Sequence, residues 1–299
     1  MQVLISGANG LIGHELSALL RTRRHEVHGL VRDPSKAMPG DVLWHPATPL
    51  APAQIAAFDA IVHLAGRPVA TFWSEKAKAE IRSSRIDGTK SLATAAALAF
   101  QQSGKPQALI CSSAIGYYGS RGDEELVEES EAGLGFLAGV CQQWESATQP
   151  AAMAGVRVAH LRTSLVLSTA GGALAKMLPA FRLGMAGRLG SGRQWWSWVS
   201  LTDAARAYAF ALENASVHGA LNLAAPGAVT NAEFTRTLGH VLHRPTLFPV
   251  PAFALRALAG EMAEEMMLAS QRVVPRRLLE AGFNFTDPEL EPTLRKLLT

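Results

Sequence analysis

Two stretches of this chain have residue types and spacings that chemistry can use. The first is Gly7-Ala8-Asn9-Gly10-Leu11-Ile12-Gly13, which follows the apolar run VLIS and opens the amphipathic segment HELSALLRTRR. Glycine at the first position permits a tight turn. At the second it lets a pyrophosphate reach the backbone, and at the third it lets helix and strand pack closely. The helix that follows offers free N–H groups and a positive partial charge to an anion. A bare GxxGxxG only marks turns, but one placed between a first strand and a helix predicts a dinucleotide site. The second stretch is CSSAIGYYGSRG, residues 111–122, where two serines end an apolar strand and two tyrosines follow on a glycine-flanked turn. A serine at a strand end can orient a substrate oxygen, and a nearby tyrosine can move a proton. Ser113 and Tyr117 are the candidate catalytic residues, with bound water as the alternative proton source.

The second predicted strand ends in Val31-Arg32-Asp33. An acid at that place holds the ribose 2′-hydroxyl of NAD, whereas an arginine pairs with the 2′-phosphate of NADP. Arg32 therefore favours NADP, with NADPH preferred over NADH. The competing reading leaves Arg32 in water and gives Asp33 the NAD role. His63 reads as a neutral histidine packed at a strand end. No metal is expected, because the histidines lack ligand spacing and Cys111 and Cys141 lie far apart.

These residues need a frame to hold them. Apolar strand-like runs at 3–7, 26–32, 41–45, 59–66, 107–113 and 156–162 alternate with helical patterns at 11–24, 74–100 and 136–154. Near-continuous apolar strands alternating with helices predict an α/β fold, a doubly wound parallel sheet of Rossmann type. Residues 1–165 are expected to form the NADP-binding domain, with a strand near 219–225 returning to it. Residues 166–299 are expected to form a smaller, interleaved substrate-binding domain with a distinct tail at 245–299.

Nearly half of the 299 residues are hydrophobic and 18% are charged, which describes a folded protein rather than a disordered one. A net charge of +3 without a long lysine-arginine run gives no footprint for nucleic acid. The apolar start MQVLISG is too short for a leader or a span, and both cysteines sit in apolar contexts. A cytoplasmic protein with reduced thiols and no membrane partner is expected. Its partner is then an unidentified small-molecule substrate, and the chain a monomer or homodimer.

The glycine loop, VHLAG at 62–66, DGTKSL at 87–92, SSAIGYYG at 112–119 and GRQWWSWVSLTDAARA at 192–207 resemble the extended short-chain dehydrogenase/reductase superfamily. TFWSEKAKAEIRSSRI at 71–86, GYYGSRGDE at 116–124, LGSGRQWWSWV at 189–199 and RVVPRRLLEAGFNF at 272–285 resemble its epimerase-family branch of the YfcH type. The resemblance implies a cofactor site of Gly7, Asn9, Gly10, Leu11, Ile12, Gly13, Arg32, Leu64, Ala65 and Gly66. Arg85, Ser113 and Arg162 are expected to join it.

Chemistry in that superfamily uses an asparagine, a serine, a tyrosine and a lysine, the last two four residues apart on one helix. Here Ser113 matches the serine, and Arg85 stands at the asparagine position. If Glu145 marks the register, Leu137 stands where the tyrosine belongs and Cys141 where the lysine belongs. A shift of one gives Phe136 and Val140. The resemblance thus implies an NADP(H)-dependent oxidoreductase or epimerase-like protein lacking the standard pair, or alternatively an inert NADP(H)-binding sensor. The arginine by which sugar-nucleotide relatives clamp a diphosphate is also missing from Trp195-Trp196-Ser197-Trp198. These tryptophans either wall a flat ligand site or pack a core.

Overall fold

A computed structural model describes residues 1–45 and 48–298. Thr299, the last residue of the expected second domain, lies outside the described residues. The strands are β1 (Gln2–Ser6), β2 (Glu26–Val31), β3 (Val42–Leu43), β4 (Ala60–His63), β5 (Ala108–Ala114) and β6 (Glu125–Leu126). They continue with β7 (Arg157–Thr163), β8 (Leu165–Leu167), β9 (Trp195–Trp196), β10 (Trp198–Ser200), β11 (Gly219–Leu223), β12 (Val229–Thr230) and β13 (Arg272–Val273). The helices begin with α1 (Leu11–Thr22), α2 (Glu75–Ser103), α3 (Phe136–Ser146), α4 (Gln149–Met153) and α5 (Gly172–Arg182). They end with α6 (Leu201–Glu213), α7 (Asn231–Val241), α8 (Ala252–Ala259), α9 (Arg276–Glu280) and α10 (Leu290–Leu298).

Seven strands form the main sheet in the order β11-β7-β5-β4-β1-β2-β3. Parallel pairing aligns Ser6 with His63 and His63 with Cys111. This is the expected Rossmann-type α/β architecture. Val3, Leu4 and Ile5 are fully buried, as a strand covered by helices on both faces must be. Leu4, Ile61, Leu92, Leu109 and Ala96 belong to one core cluster, and each such aliphatic side chain contributes about 2 kcal/mol by leaving water.

Three expected elements end differently. The segment 136–154 is two helices rather than one, because Pro150 cannot continue the helical hydrogen bonding and its ring clashes with the preceding turn. The fourth strand stops at His63 because the Ala65 amide turns to the Ser6 hydroxyl at 3.2 Å, while the Leu64 amide is shared between that hydroxyl and the Ser6 carbonyl. The third strand shrinks to two residues.

The chain divides into two compact units. One comprises Met1–Ser113, Val140–Leu161 and Ala205–Leu221; the other comprises Ala114–Gly139, Arg162–Ala204 and Asn222–Thr299. In the second unit β8 pairs with β10, β9 with β12 and β6 with β13. Its core gathers Leu174, Phe181, Trp198, Phe234, Leu238 and Leu294. Trp198 is fully buried, with its indole N–H on the Gly227 carbonyl at 2.9 Å, and Trp196 packs edge-on against Phe234. Two of the three tryptophans therefore serve as core.

Candidate functional site

The glycine loop follows β1 directly. Gly7 has φ +74°, a value that favours glycine, and Gly10 N–H donates to its carbonyl at 2.9 Å. A Cβ at Gly13 would lie 2.1 Å from Gly7 O and 2.9 Å from the Ala8 Cα, so any side chain there displaces backbone. A Cβ at Gly7 would sit 3.1 Å from the Ala65 amide nitrogen. The loop and the Leu64–Gly66 turn are thus in close approach, and the Ser6 hydroxyl fixes that turn. Gly10 caps α1 without any side-chain hydrogen bond, and the first turn of α1 holds no acid. The backbone N–H groups at the start of a 12-residue helix are left for an anion.

Arg32 is exposed and forms no ion pair among the described residues. The Asp33 carboxylate caps a short helical turn and accepts from Ser35 N at 3.0 Å and Ser35 Oγ at 2.7 Å. Those bonds hold its pKa below the usual carboxylate range.

Below the loop, His63 is fully buried and its Nδ1 lies 2.6 Å from Ser6 Oγ. Desolvation pushes its pKa down to about 4, so the ring is neutral at ordinary pH. Its Nε2 is buried with no partner.

Two residues beyond the β5 partner of His63, β5 and α3 bring a polar pair together. Ser113 is 2% exposed, and its hydroxyl donates to Glu145 Oε1 at 2.6 Å. Sequence reading treated Glu145 as a helix-surface or structural acid, and its bond to Ser113 spans 32 residues, beyond any local spacing signal. Arg85 lies over the Trp144 ring at 5.0 Å and donates from Nη1 to the carbonyls of Arg67 at 2.9 Å and Ile81 at 3.2 Å. Its guanidinium carbon is 3.3 Å from where a Gly66 Cβ would be, so it faces the turn opposite the glycine loop. Burial lowers its pKa, a trend that the neighbouring Cys141 opposes. Trp144 is held by a 2.9 Å bond from its indole N–H to Thr89 Oγ1. The helix expected to carry a tyrosine and a lysine reads FLAGVCQQWES and has neither, and Cys141 is buried on it.

The second unit holds Tyr117, Tyr118 and Arg162. The Arg162 guanidinium stacks over the Tyr117 ring at 3.5 Å and donates to Tyr118 Oη at 2.9 Å and Glu128 O at 3.1 Å. Tyr118 in turn donates to Asn222 Oδ1 at 2.6 Å, and burial pushes its pKa up to about 12. Glu128 accepts from the Asn222 amide at 2.9 Å, while its other oxygen is buried without a partner. Burial raises its pKa. Sequence reading missed Glu128 and Asn222, which carry no motif. It also missed Glu265, whose carboxylate accepts from the amides of Phe136 and Leu137 at 2.7 Å each and caps α3. No group of metal-ligating side chains occurs among the described residues.

A parallel sheet whose first strand runs through a glycine cradle into an uncapped helix defines a Rossmann-type dinucleotide-binding protein. Residues 3–224 match the NAD dependent epimerase/dehydratase family, and residues 250–297 match a domain of unknown function, DUF1731. An epimerase family protein of Mycobacterium bovis is 44% identical over 285 residues, covering 95% of this chain and 93% of the relative. The human epimerase family protein SDR39U1 is 35% identical over the whole of both chains. The crystal structure of human SDR39U1 isoform 2 with NADPH superposes with a TM-score of 0.89 at 34% identity, covering 99% of each chain. This chain belongs to the NAD dependent epimerase/dehydratase family and is an SDR39U1-like member of it, as its motifs implied.

Proposed function

We propose that this protein binds NADP(H) and acts as an oxidoreductase or epimerase-like enzyme on a small molecule, with NADPH preferred over NADH. The observation that carries the reading is the uncapped start of α1 behind Gly10, with Gly13 packed too tightly for any side chain. Bound NADP(H) supplies hydride transfer at its nicotinamide ring. The 2′-phosphate falls to Arg32, left free of acids while Asp33 caps its own turn. The human relative solved with NADPH supports the same choice. Gly7, Asn9, Gly10, Leu11, Ile12 and Gly13 hold the pyrophosphate, and Leu64, Ala65 and Gly66 wall the opposite side. Arg85 contributes fixed positive charge beside Gly66, and Arg162 is assigned to the cofactor group through the resemblance. Ser113 orients the substrate oxygen, and Tyr117 or water supplies the proton in place of the missing tyrosine-lysine pair. Cytoplasmic residence rests on two buried cysteines outside any disulfide, of which Cys111 has its thiol pKa raised by burial. We assign no nucleic-acid partner and a monomeric or homodimeric state.

A second reading has its own support. The Ser113 hydroxyl is engaged by Glu145, and α3 carries no proton donor with a cationic partner, which favours a protein that binds NADP(H) without turnover. Titrating NADPH and NADH while following nicotinamide fluorescence tests the shared part. Tighter NADPH binding that is lost in Arg32→Ala supports it, and equal affinities in wild type and variant refute the 2′-phosphate assignment. Hydride exchange of bound NADPH against a carbonyl library then separates enzyme from binder.

A further inference from the structure

One face of the second unit has no role in the reading above. Residues 182–190 and 244–252 run side by side: Arg244 Nε donates to the Arg182 carbonyl at 2.8 Å, Val250 N to Arg188 O at 2.9 Å and Gly190 N to Val250 O at 2.8 Å. Leu183, Met185, Leu247, Phe248, Phe253 and Leu258, the last two on α8, stand 59% to 77% exposed. Helix α8 buries Leu255 yet turns Phe253 and Leu258 outward, so it is apolar on both faces. A surface helix ordinarily presents polar residues on its outer side. The charge on these segments is of one sign. No aspartate or glutamate occurs in 146–202 or in 234–260, whereas Arg182, Arg188, Arg193 and Arg244 are exposed there without an acidic partner among the described residues. Arg256, also on α8, is neutralised by Glu264.

We propose that this face docks onto an anionic lipid bilayer. Protruding phenylalanine and leucine side chains flanked by uncompensated arginines match what an interface with acidic headgroups requires, apolar bodies inserted and cations at headgroup level. A second copy is a poor occupant, because a twofold pairing brings together two faces that both carry uncompensated arginines. The sequence reading set aside a membrane partner, and no described helix is long and apolar enough to cross one. Surface attachment needs no span.

Co-flotation tests the assignment, with vesicles of phosphatidylcholine alone and of equal parts phosphatidylcholine and phosphatidylserine. The protein is expected to float with the anionic vesicles only, and to be released by high salt. Arg182→Ser and Arg244→Ser are each expected to weaken binding about fivefold, the loss of one cation at an acidic surface. Phe248→Ser with Phe253→Ser is expected to abolish flotation while the circular dichroism spectrum stays unchanged. Phe72→Ser, an exposed residue of the other unit, is expected to have no effect. Absence of flotation on anionic vesicles overturns the proposal, as does flotation that survives loss of both phenylalanines. A doubled mass in light scattering that those substitutions abolish, without flotation, assigns the face to a second copy instead.

Discussion

His63 offers a quantitative test of how the nucleotide end of the sheet is built. The ring is fully buried and neutral, its Nδ1 is tied to Ser6, and burial has lowered its pKa from 6.5 to about 4. In the unfolded chain the same ring protonates near 6.5, so below that pH the unfolded state binds the extra proton first. Stability from this group is therefore complete above pH 6.5 and is lost as pH falls toward 4, after which both states are protonated. The interval between those two values corresponds to roughly 3 kcal/mol, a large share of a domain's net stability. His63→Asn removes the titration while keeping a polar partner for Ser6. At neutral pH the variant is expected to be less stable by about 2 kcal/mol, for lost packing and an imperfectly bonded amide. Urea unfolding at successive pH values gives the difference between the two proteins, in which the titration of every other group cancels. Among those groups is Glu128, whose raised pKa acts in the opposite direction. The gap should close by about 3 kcal/mol between pH 6.5 and 4, reversing the order of stability. A gap that stays constant over that range would show that the ring is hydrated or already charged in the folded protein.

Other perturbations read out neighbouring parts. Gly13→Ala forces the loop backbone apart and is expected to weaken NADPH binding at least about tenfold, by fluorescence titration, and to lower Tm. Glu265→Ala leaves two amides at the start of α3 without their carboxylate and is expected to cost about 2 kcal/mol in urea unfolding, with faster hydrogen exchange at 136–140. Gly135→Ala is expected to destabilise similarly, because Gly135 has φ +109° and a Cβ there would lie 2.7 Å from Glu265 Oε1. Ser113→Ala leaves Glu145 without its donor, so NADPH affinity should hold while any hydride exchange falls at least about tenfold. Unchanged exchange in that variant would remove Ser113 from the chemistry.

What the sequence made legible follows from the range of each interaction. The glycine loop, α1 and the strand-helix alternation are local patterns, because periodicity and glycine spacing act within a dozen residues, and the structure reproduces them. The end of β4 was misjudged by three residues because it is set by Ser6, far away in the chain, whose hydroxyl takes the Ala65 amide while the Leu64 amide is shared between that hydroxyl and the Ser6 carbonyl. The same limit hid the polar partners. Glu145 meets Ser113 across 32 residues, Asn222 meets Tyr118 across 104, and Glu265 meets Phe136 across 129. No spacing rule reaches that far; Glu145 marked only a register on its own helix, and Asn222 and Glu265 carry no motif. The phosphate-binding pattern sits on one turn, because a helix N-terminus and three glycines suffice to hold phosphate. Residues that hold a catalytic group in register come from wherever the fold returns. In this chain the glycine turn and the start of α1 were therefore legible from local spacing, whereas the surroundings of Ser113 and Tyr117 had to come from the fold. The bond from Ser113 to Glu145 shows why that matters: a serine retained from a dehydrogenase pattern has acquired an acidic partner one helical turn beyond the buried Cys141, and its hydroxyl cannot be assigned to substrate without accounting for that carboxylate.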